Sequence, residues 1–405
     1  MSFPLATIFH GNTGYLNQET TLPACVVEEP IYKNPLLDSH PELFQEVREL
    51  LRVIIHPNAI DIQKETARHM AKILESPYEC GRVLESPNRI LVDGIAYTLN
   101  VKGVGTTRFY RETQANNPWH RIGLDPEVKK ALNSRTFHED RGVFHKADAL
   151  MNMEGFHRLQ AFGVETEIPL AIYELTSLPD KNGEMQSIEK LKKKGHLHKE
   201  IEPVLYIRMS QTNFRFLDPI VMNETEKFRP FAKPLFQYAL TEYRNRTNNQ
   251  NATLQEFTES VIKKIISQEI HLTMNGIYHG GETWQDFGRN LSLFGEILDL
   301  DDVTSRSKPE TKGLYYFEEF LGRKIDLLVS NIRQFINALI EADEQINIPS
   351  IAQIFIDTIY DTCLKNAEKV NLQEEEFYKK IEISLKCVGT NPLLSATVSD
   401  RLGNT

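Results

Sequence analysis

Two kinds of hydrophobic spacing divide this chain, and they occupy different stretches. Between Gly81 and Met209 the apolar residues come in short runs: Arg82-Val-Leu-Glu, Arg89-Ile-Leu-Val, Ile95–Lys102, Ile168–Leu175 and Pro203–Met209. The turn signals Ser86-Pro-Asn and Asp93-Gly94 separate the first three, which predicts a β-meander. One helix, Ala147–Phe162, ended by Gly163, lies within this strand region. From Phe228 onward the spacing lengthens to three and four residues. Lys233–Tyr243, Leu254–Asn275, Phe317 through Leu339, Pro349–Glu368 and Glu374–Leu385 read as successive helices. Strands first and helices after specify an α+β protein whose β-rich part feeds a mainly helical part.

The N-terminal stretch is less regular. It opens Pro-rich, then shows helical spacing from Pro41 through Leu43, Val47, Leu50 and Leu51, with a second, more polar helix expected over Asp61–Leu74. Three regions follow: a helical N-terminal extension, 1–77; a β-rich region, 78–225; and a helical region, 226–405. The insertion between the last two strands carries Lys192-Lys-Lys194 and His196-x-His198 and reads as a solvated loop, with no third metal ligand beside the histidines. The tail Asn391–Thr405 is expected to fray.

Composition excludes several classes. Of 405 residues, 40% are apolar and 25% charged, which is the balance of a folded domain. A net charge of −10 argues against a nucleic-acid partner, which favours a basic face. No apolar run approaches the length of a membrane span, and the N-terminus lacks the basic start of a signal peptide. Cys25, Cys80, Cys363 and Cys387 are dispersed without a CxxC pair, as suits a reducing, cytoplasmic setting.

Polar residues gather at three places. Lys102 ends the third strand and runs into Gly103-Val-Gly105, where a kinase-like lobe holds a phosphate-binding ammonium. Glu154, on the following helix, is the candidate ion-pair partner for Lys102, with Glu139 its rival. Arg208 and Arg215 lie seven residues apart at the end of the last strand. Finally, His279 opens a polar loop that leads to Asn290. The runs Leu291–Phe294 and Glu296–Leu298, about Gly295, predict a tight β-hairpin that sets Asn290 beside Asp299. Amide and carboxylate oxygens are hard ligands suited to Mg²⁺ or Mn²⁺. A β-rich lobe, a helical lobe, and a polar loop and hairpin between long helices make a protein-kinase-like two-lobed order.

Four segments together resemble the selenoprotein O family, kinase-fold enzymes that transfer AMP to protein hydroxyls. They are Val101–Arg111, Gln160–Leu170, Arg208–Phe216 and Gly276–Gly280 leading to Asn290–Gly295. The seven-residue spacing of Arg208 and Arg215 and the nine-residue spacing of Asn290 and Asp299 are those of the family's phosphate- and metal-binding pairs. The resemblance implies ATP bound in reversed orientation, with Lys102, Gly103, Gly105, Glu154, Arg208 and Arg215 at the nucleotide and Asn290 and Asp299 on Mg²⁺ or Mn²⁺. It implies a protein adenylyltransferase acting on a Ser, Thr or Tyr hydroxyl. The chain departs from the family at Arg289, where an aspartate is usual, and in a longer loop whose one aspartate, Asp286, is the candidate catalytic replacement. A kinase of the same fold and a nucleotide-binding pseudoenzyme are the alternatives.

Overall fold

The computed structural model describes residues 19–23, 30–50, 70–75, 83–103, 144–179, 185–194, 197, 199–224, 229–279, 288, 290–305, 324–342, 345–365 and 379–380. Strands β1 (Glu19–Pro23) and β2 (Tyr32–Lys33) lead into helices α1 (Leu36–Ser39) and α2 (Pro41–Leu50). Next come β3 (Met70–Glu75), β4 (Val83–Val92), β5 (Ile95–Lys102), β6 (Phe144–His145), α3 (Lys146–Gln160) and β7 (Ile168–Glu174). A small hairpin, β8 (Ser177–Pro179) and β9 (Met185–Ser187), then α4 (Ile188–Lys193) precede β10 (Pro203–Ser210). Helices α5 (Asp218–Glu224), α6 (Ala232–Thr247) and α7 (Leu254–Met274), strands β11 (Ile277–Tyr278) and β12 (Thr304–Ser305), and helices α8 (Ile325–Glu341) and α9 (Ile348–Leu364) complete the order. The chain divides into two compact units, 1–156 with 167–214, and 157–166 with 215–405. The protein is therefore a mixed α+β chain, and no helix among the described residues is long and apolar enough to cross a membrane.

The first unit is built on one antiparallel sheet in the order β1-β3-β4-β5-β10-β7-β2, with β6 pairing β10. Alternation sends successive side chains of a strand to opposite faces. On β5 and β10, Leu99, Val101, Leu205, Ile207 and Met209 take one face. There they form the core with Leu37 of α1 and with Leu43, Val47 and Leu50 of α2. The other face carries Thr98, Asn100 and Lys102 opposite Ser210, Arg208 and Tyr206. Helix α3 covers part of it, through Ala149 against Ile172, Val204 and Tyr206.

Three local expectations are corrected. Ser86-Pro-Asn is no turn: β4 runs straight through it, and the ladder to β5 shifts register between Glu85 and Arg89. A bulge accommodates a proline that cannot donate to a regular ladder. The helix expected over Asp61–Leu74 gives way to strand at Met70–Leu74, which pair with β1, because sheet partners far along the chain override a weak helical preference. Residues 51–69 lie outside the described ones. Lys192–Lys194 are no open loop but the end of α4, whose N-terminus Ser187 caps by accepting a bond from Lys190 N at 3.3 Å. Lysines at a helix C-terminus are favoured by the dipole, and Leu191 anchors the helix to the core. His196 and His198 lie outside the described residues. The Asp93-Gly94 turn forms as expected, with φ of 50° and 81° that suit a two-residue hairpin turn.

The second unit is organised by α7. A capping box starts it: Thr253 Oγ1 accepts from Glu256 N at 3.2 Å, and Glu256 Oε2 accepts from Thr253 N at 2.6 Å. Phe257, Val261, Ile262, Ile265, Ile266 and Ile270 then form its buried stripe. The expected helices at Lys233–Tyr243, Leu254–Asn275 and Pro349–Glu368 appear as α6, α7 and α9, the last ending at Leu364. The long stripe from Phe317 appears as α8 from Ile325 onward, and its earlier residues lie outside the described ones.

Candidate functional site

Within the first unit, Lys102 ends β5 partly buried, its Nζ 5.2 Å from the centroid of the Phe144 ring. Gly103 follows with φ of 94°, and a Cβ there would stand 2.2 Å from Val204 O. Glycine is the residue for such a conformation. Glu154 is exposed on α3. Gly105 and the rival Glu139 lie outside the described residues.

Arg208 stands on the same sheet face as Lys102 and is wholly buried. Its Nη1 donates to Glu167 Oε2, and Glu167 is also wholly buried. Arg208 Nε and Nη2 make no hydrogen bond. Beside it in register, Asn100 Nδ2 donates to Ser210 Oγ at 3.1 Å and to Thr98 O at 3.2 Å. Thr98 Oγ1, Asn100 Oδ1 and both polar side-chain atoms of buried Asn213 make no hydrogen bond either. Thr98, Asn100 and Arg208 lie on one sheet face, and a buried donor or acceptor left unsatisfied costs about 1–3 kcal/mol.

Within the second unit, the hairpin about Gly295 forms as a tight fold-back. Ser292 N donates to Glu296 O at 2.8 Å, Gly295 N to Ser292 O at 2.9 Å, and Leu298 N to Asn290 O at 2.8 Å. The last bond sets Asn290 next to the residue before Asp299, as the spacing predicts. Ser292 Oγ, buried inside the turn, accepts from Phe294 N at 3.2 Å and Glu296 N at 3.0 Å. Gly295 has φ of 74°, and a Cβ there would meet Ile265 Cγ1 of α7 at 3.1 Å. Arg215 is brought to the same knot. It bridges Ser292, while Phe216 N donates to Leu291 O at 3.0 Å and Arg215 N to Asp218 Oδ2 at 2.7 Å.

Asp299 adopts a left-handed backbone, φ 62° and ψ 66°, a sparsely used region for a residue with a side chain. His279, buried, reaches Leu298 O at 2.9 Å through Nε2. A carbonyl only accepts, so Nε2 carries the proton and Nδ1 is bare. Burial lowers the His279 pKa. The bond to Leu298 opposes this, as does Glu269; Lys324 adds to the lowering, and Asp299 opposes it. Lys324 and Glu269 form a nearly buried pair at 2.9 Å on the same unit.

The oxygen donors of Asn290 and Asp299 suit Mg²⁺ or Mn²⁺. Among the described residues, no group of three or more His, Cys, Asp or Glu side chains gathers to hold a metal. The pair would therefore hold a cation together with phosphate oxygens and waters, as Mg²⁺ commonly is held. Asp286 and Arg289 lie outside the described residues, while Gly288 is described. A Cβ on Gly288 would stand 2.4 Å from Asn331 Oδ1 and 2.6 Å from Leu217 Cγ, so a larger residue there would require those side chains to shift.

The structure thus gathers Arg215, Asn290 and Asp299 in one unit and places Lys102, Gly103, Glu154 and Arg208 in the other. Sequence reasoning missed Thr98, Asn100, Glu167, Ser210 and Asn213. The first two had a signal, since Thr98, Asn100 and Lys102 alternate with Leu99 and Val101 in a strand buried on both faces. Glu167 had none. Glu165, two residues before it, is half exposed and pairs with Lys264 at 2.6 Å, and nothing local separates the two. Comparison with protein-family models gives no match, and neither does comparison with curated proteins.

Proposed function

We propose that this chain is an ATP-dependent protein adenylyltransferase of kinase-like fold, moving AMP from ATP to a Ser, Thr or Tyr hydroxyl. The observation that carries the reading is Arg208: a wholly buried guanidinium, with two donors left unbonded, on the sheet face that also bears Lys102. Supporting it are the order of β3, β4, β5, α3, β7 and β10 along the chain and the juxtaposed oxygen donors of Asn290 and Asp299. In this reading β3, β4 and β5 stand for the first strands of a kinase-type nucleotide lobe, which carries its lysine on the third strand.

In this reading Lys102, Arg208 and Arg215 neutralise triphosphate oxygens, and arginine forks grip a phosphate that is not the one transferred. Asn290 and Asp299 would hold Mg²⁺ or Mn²⁺, which supplies charge neutralisation at the reacting phosphate. The acceptor hydroxyl oxygen forms a bond to the α-phosphorus. The α–β bridging bond breaks, pyrophosphate leaves with its electron pair, and the hydroxyl proton passes to a base, for which Asp286 is the candidate. Parallel incubation with α- and γ-labelled ATP and a protein acceptor tests this. Label on protein from α-labelled ATP alone is expected. Label from γ-labelled ATP assigns the chain as a kinase, and tight ATP binding without transfer of either label assigns a pseudoenzyme.

A further inference from the structure

We infer that Glu167 is a positioning residue that presents one edge of Arg208 to the terminal phosphate of the nucleotide; this rests on the proposed nucleotide site. A guanidinium has two edges able to grip an oxyanion with paired N–H groups, the end formed by its Nη atoms and the side formed by Nε with one Nη. Glu167 takes Nη1. What remains is the side edge, Nε and Nη2, and these are the two atoms of Arg208 that have no hydrogen bond. Both residues are wholly buried, and the bond from Nη1 to the carboxylate orients the guanidinium. Paired N–H groups of this kind match two oxygens of a single phosphate.

The same carboxylate sets the charge. The Glu167 carboxylate offsets the charge of Arg208, so a phosphate arriving at Nε and Nη2 is attracted less strongly than it would be by Arg208 alone. Glu167 therefore orients Arg208 and at the same time weakens its hold, which favours release of pyrophosphate. Removing the charge while keeping the hydrogen-bonding shape tightens the site, whereas shortening the side chain loosens it. A residue that merely fills space predicts neither.

Calorimetric titrations of the full chain with ATP, AMP and inorganic tripolyphosphate, in the wild type, Glu167→Gln and Glu167→Asp, decide the matter. Glu167→Gln should bind ATP and tripolyphosphate on the order of a hundredfold more tightly, the scale of one charge about 6 Å away at an effective dielectric near 20. Glu167→Asp should bind both on the order of tenfold more weakly, and AMP should change in neither variant. If Glu167→Gln does not fold, Glu167→Asp alone decides through the split between ATP and AMP. Wild-type binding of ATP with unchanged affinities in the variants, or with AMP shifted as much as ATP, overturns the role of Glu167 and leaves the nucleotide reading standing. Wild-type binding of tripolyphosphate but not ATP overturns the nucleotide reading and keeps the oxyanion site. Binding of neither overturns both.

Discussion

The sheet face around Arg208 and the hairpin around Gly295 hold their functional side chains by opposite means. On the sheet, Arg208 is fixed through its side chain by Glu167, forty-one positions away in sequence. In the hairpin, Asn290 is set beside the residue before Asp299 through the backbone, by the bond from Leu298 N to Asn290 O across eight residues. The first arrangement leaves charged and polar atoms unsatisfied in a buried place. The second satisfies its backbone and concentrates cost in two unusual torsions, at Gly295 and Asp299. Electrostatics carries the one site, chain geometry the other.

Breaking the buried pair should cost most. Arg208→Met leaves Glu167 as a buried carboxylate without its ion-pair partner and should lower stability by about 3–5 kcal/mol in urea unfolding. The double substitution Glu167→Met with Arg208→Met should recover much of that loss, since apolar replacements of buried pairs are often neutral. No recovery would mean that Glu167 is held chiefly by other groups.

The hairpin should fail by geometry instead. Gly295→Ala combines a left-handed backbone with crowding against Ile265 and should cost roughly 1–3 kcal/mol. Asp299→Asn keeps the side-chain shape and the tolerance for that backbone, so ligand-free stability should stay within about 0.5 kcal/mol. The same variant should lose the metal-dependent part of stabilisation by ATP, which in the wild type would reach roughly 2.7 kcal/mol at a hundredfold excess over Kd. Thermal shifts with and without Mg²⁺ separate these effects, and an undiminished shift would remove Asp299 from the site.

The smallest effect is one of pH. The folded pKa of His279 is lowered, so the folded protein holds this ring neutral where the unfolded chain would protonate it. Its contribution is complete above the ordinary value of 6.5 and is lost as pH falls from there towards the lowered value. The slope is at most about 1.4 kcal/mol per pH unit for one proton. His279→Gln, which keeps a donor for Leu298 O, should flatten that part of the stability profile. An identical profile would place the acid sensitivity elsewhere.

The contrast explains what could be read from the residues. Helices α6, α7 and α9 and the fold-back at Gly295 follow from spacing within a few turns, and they were legible. Asn290 and Asp299 were legible for the same reason, since a short turn fixes both ends. Local signals misled where distant partners decide, as at Met70–Leu74 and across Ser86-Pro-Asn. The family resemblance singled out Arg208, but not its carboxylate, because Glu167 and Glu165 differ only in what the fold brings over them. Thr98 and Asn100 could have been caught, since a polar residue at every second position of an otherwise apolar strand is a statement about one face.

The left-handed backbone of Asp299 also limits how this position can drift. A single base change in an aspartate codon can give asparagine or glycine, which accept that torsion readily, and alanine or valine, which do not. Asparagine keeps an oxygen donor and loses the charge; glycine loses both. If Asp299 binds the metal as proposed, a lineage that gives up that binding without unsettling the hairpin would pass first through asparagine or glycine, leaving a trace of the lost carboxylate in the residue that replaces it.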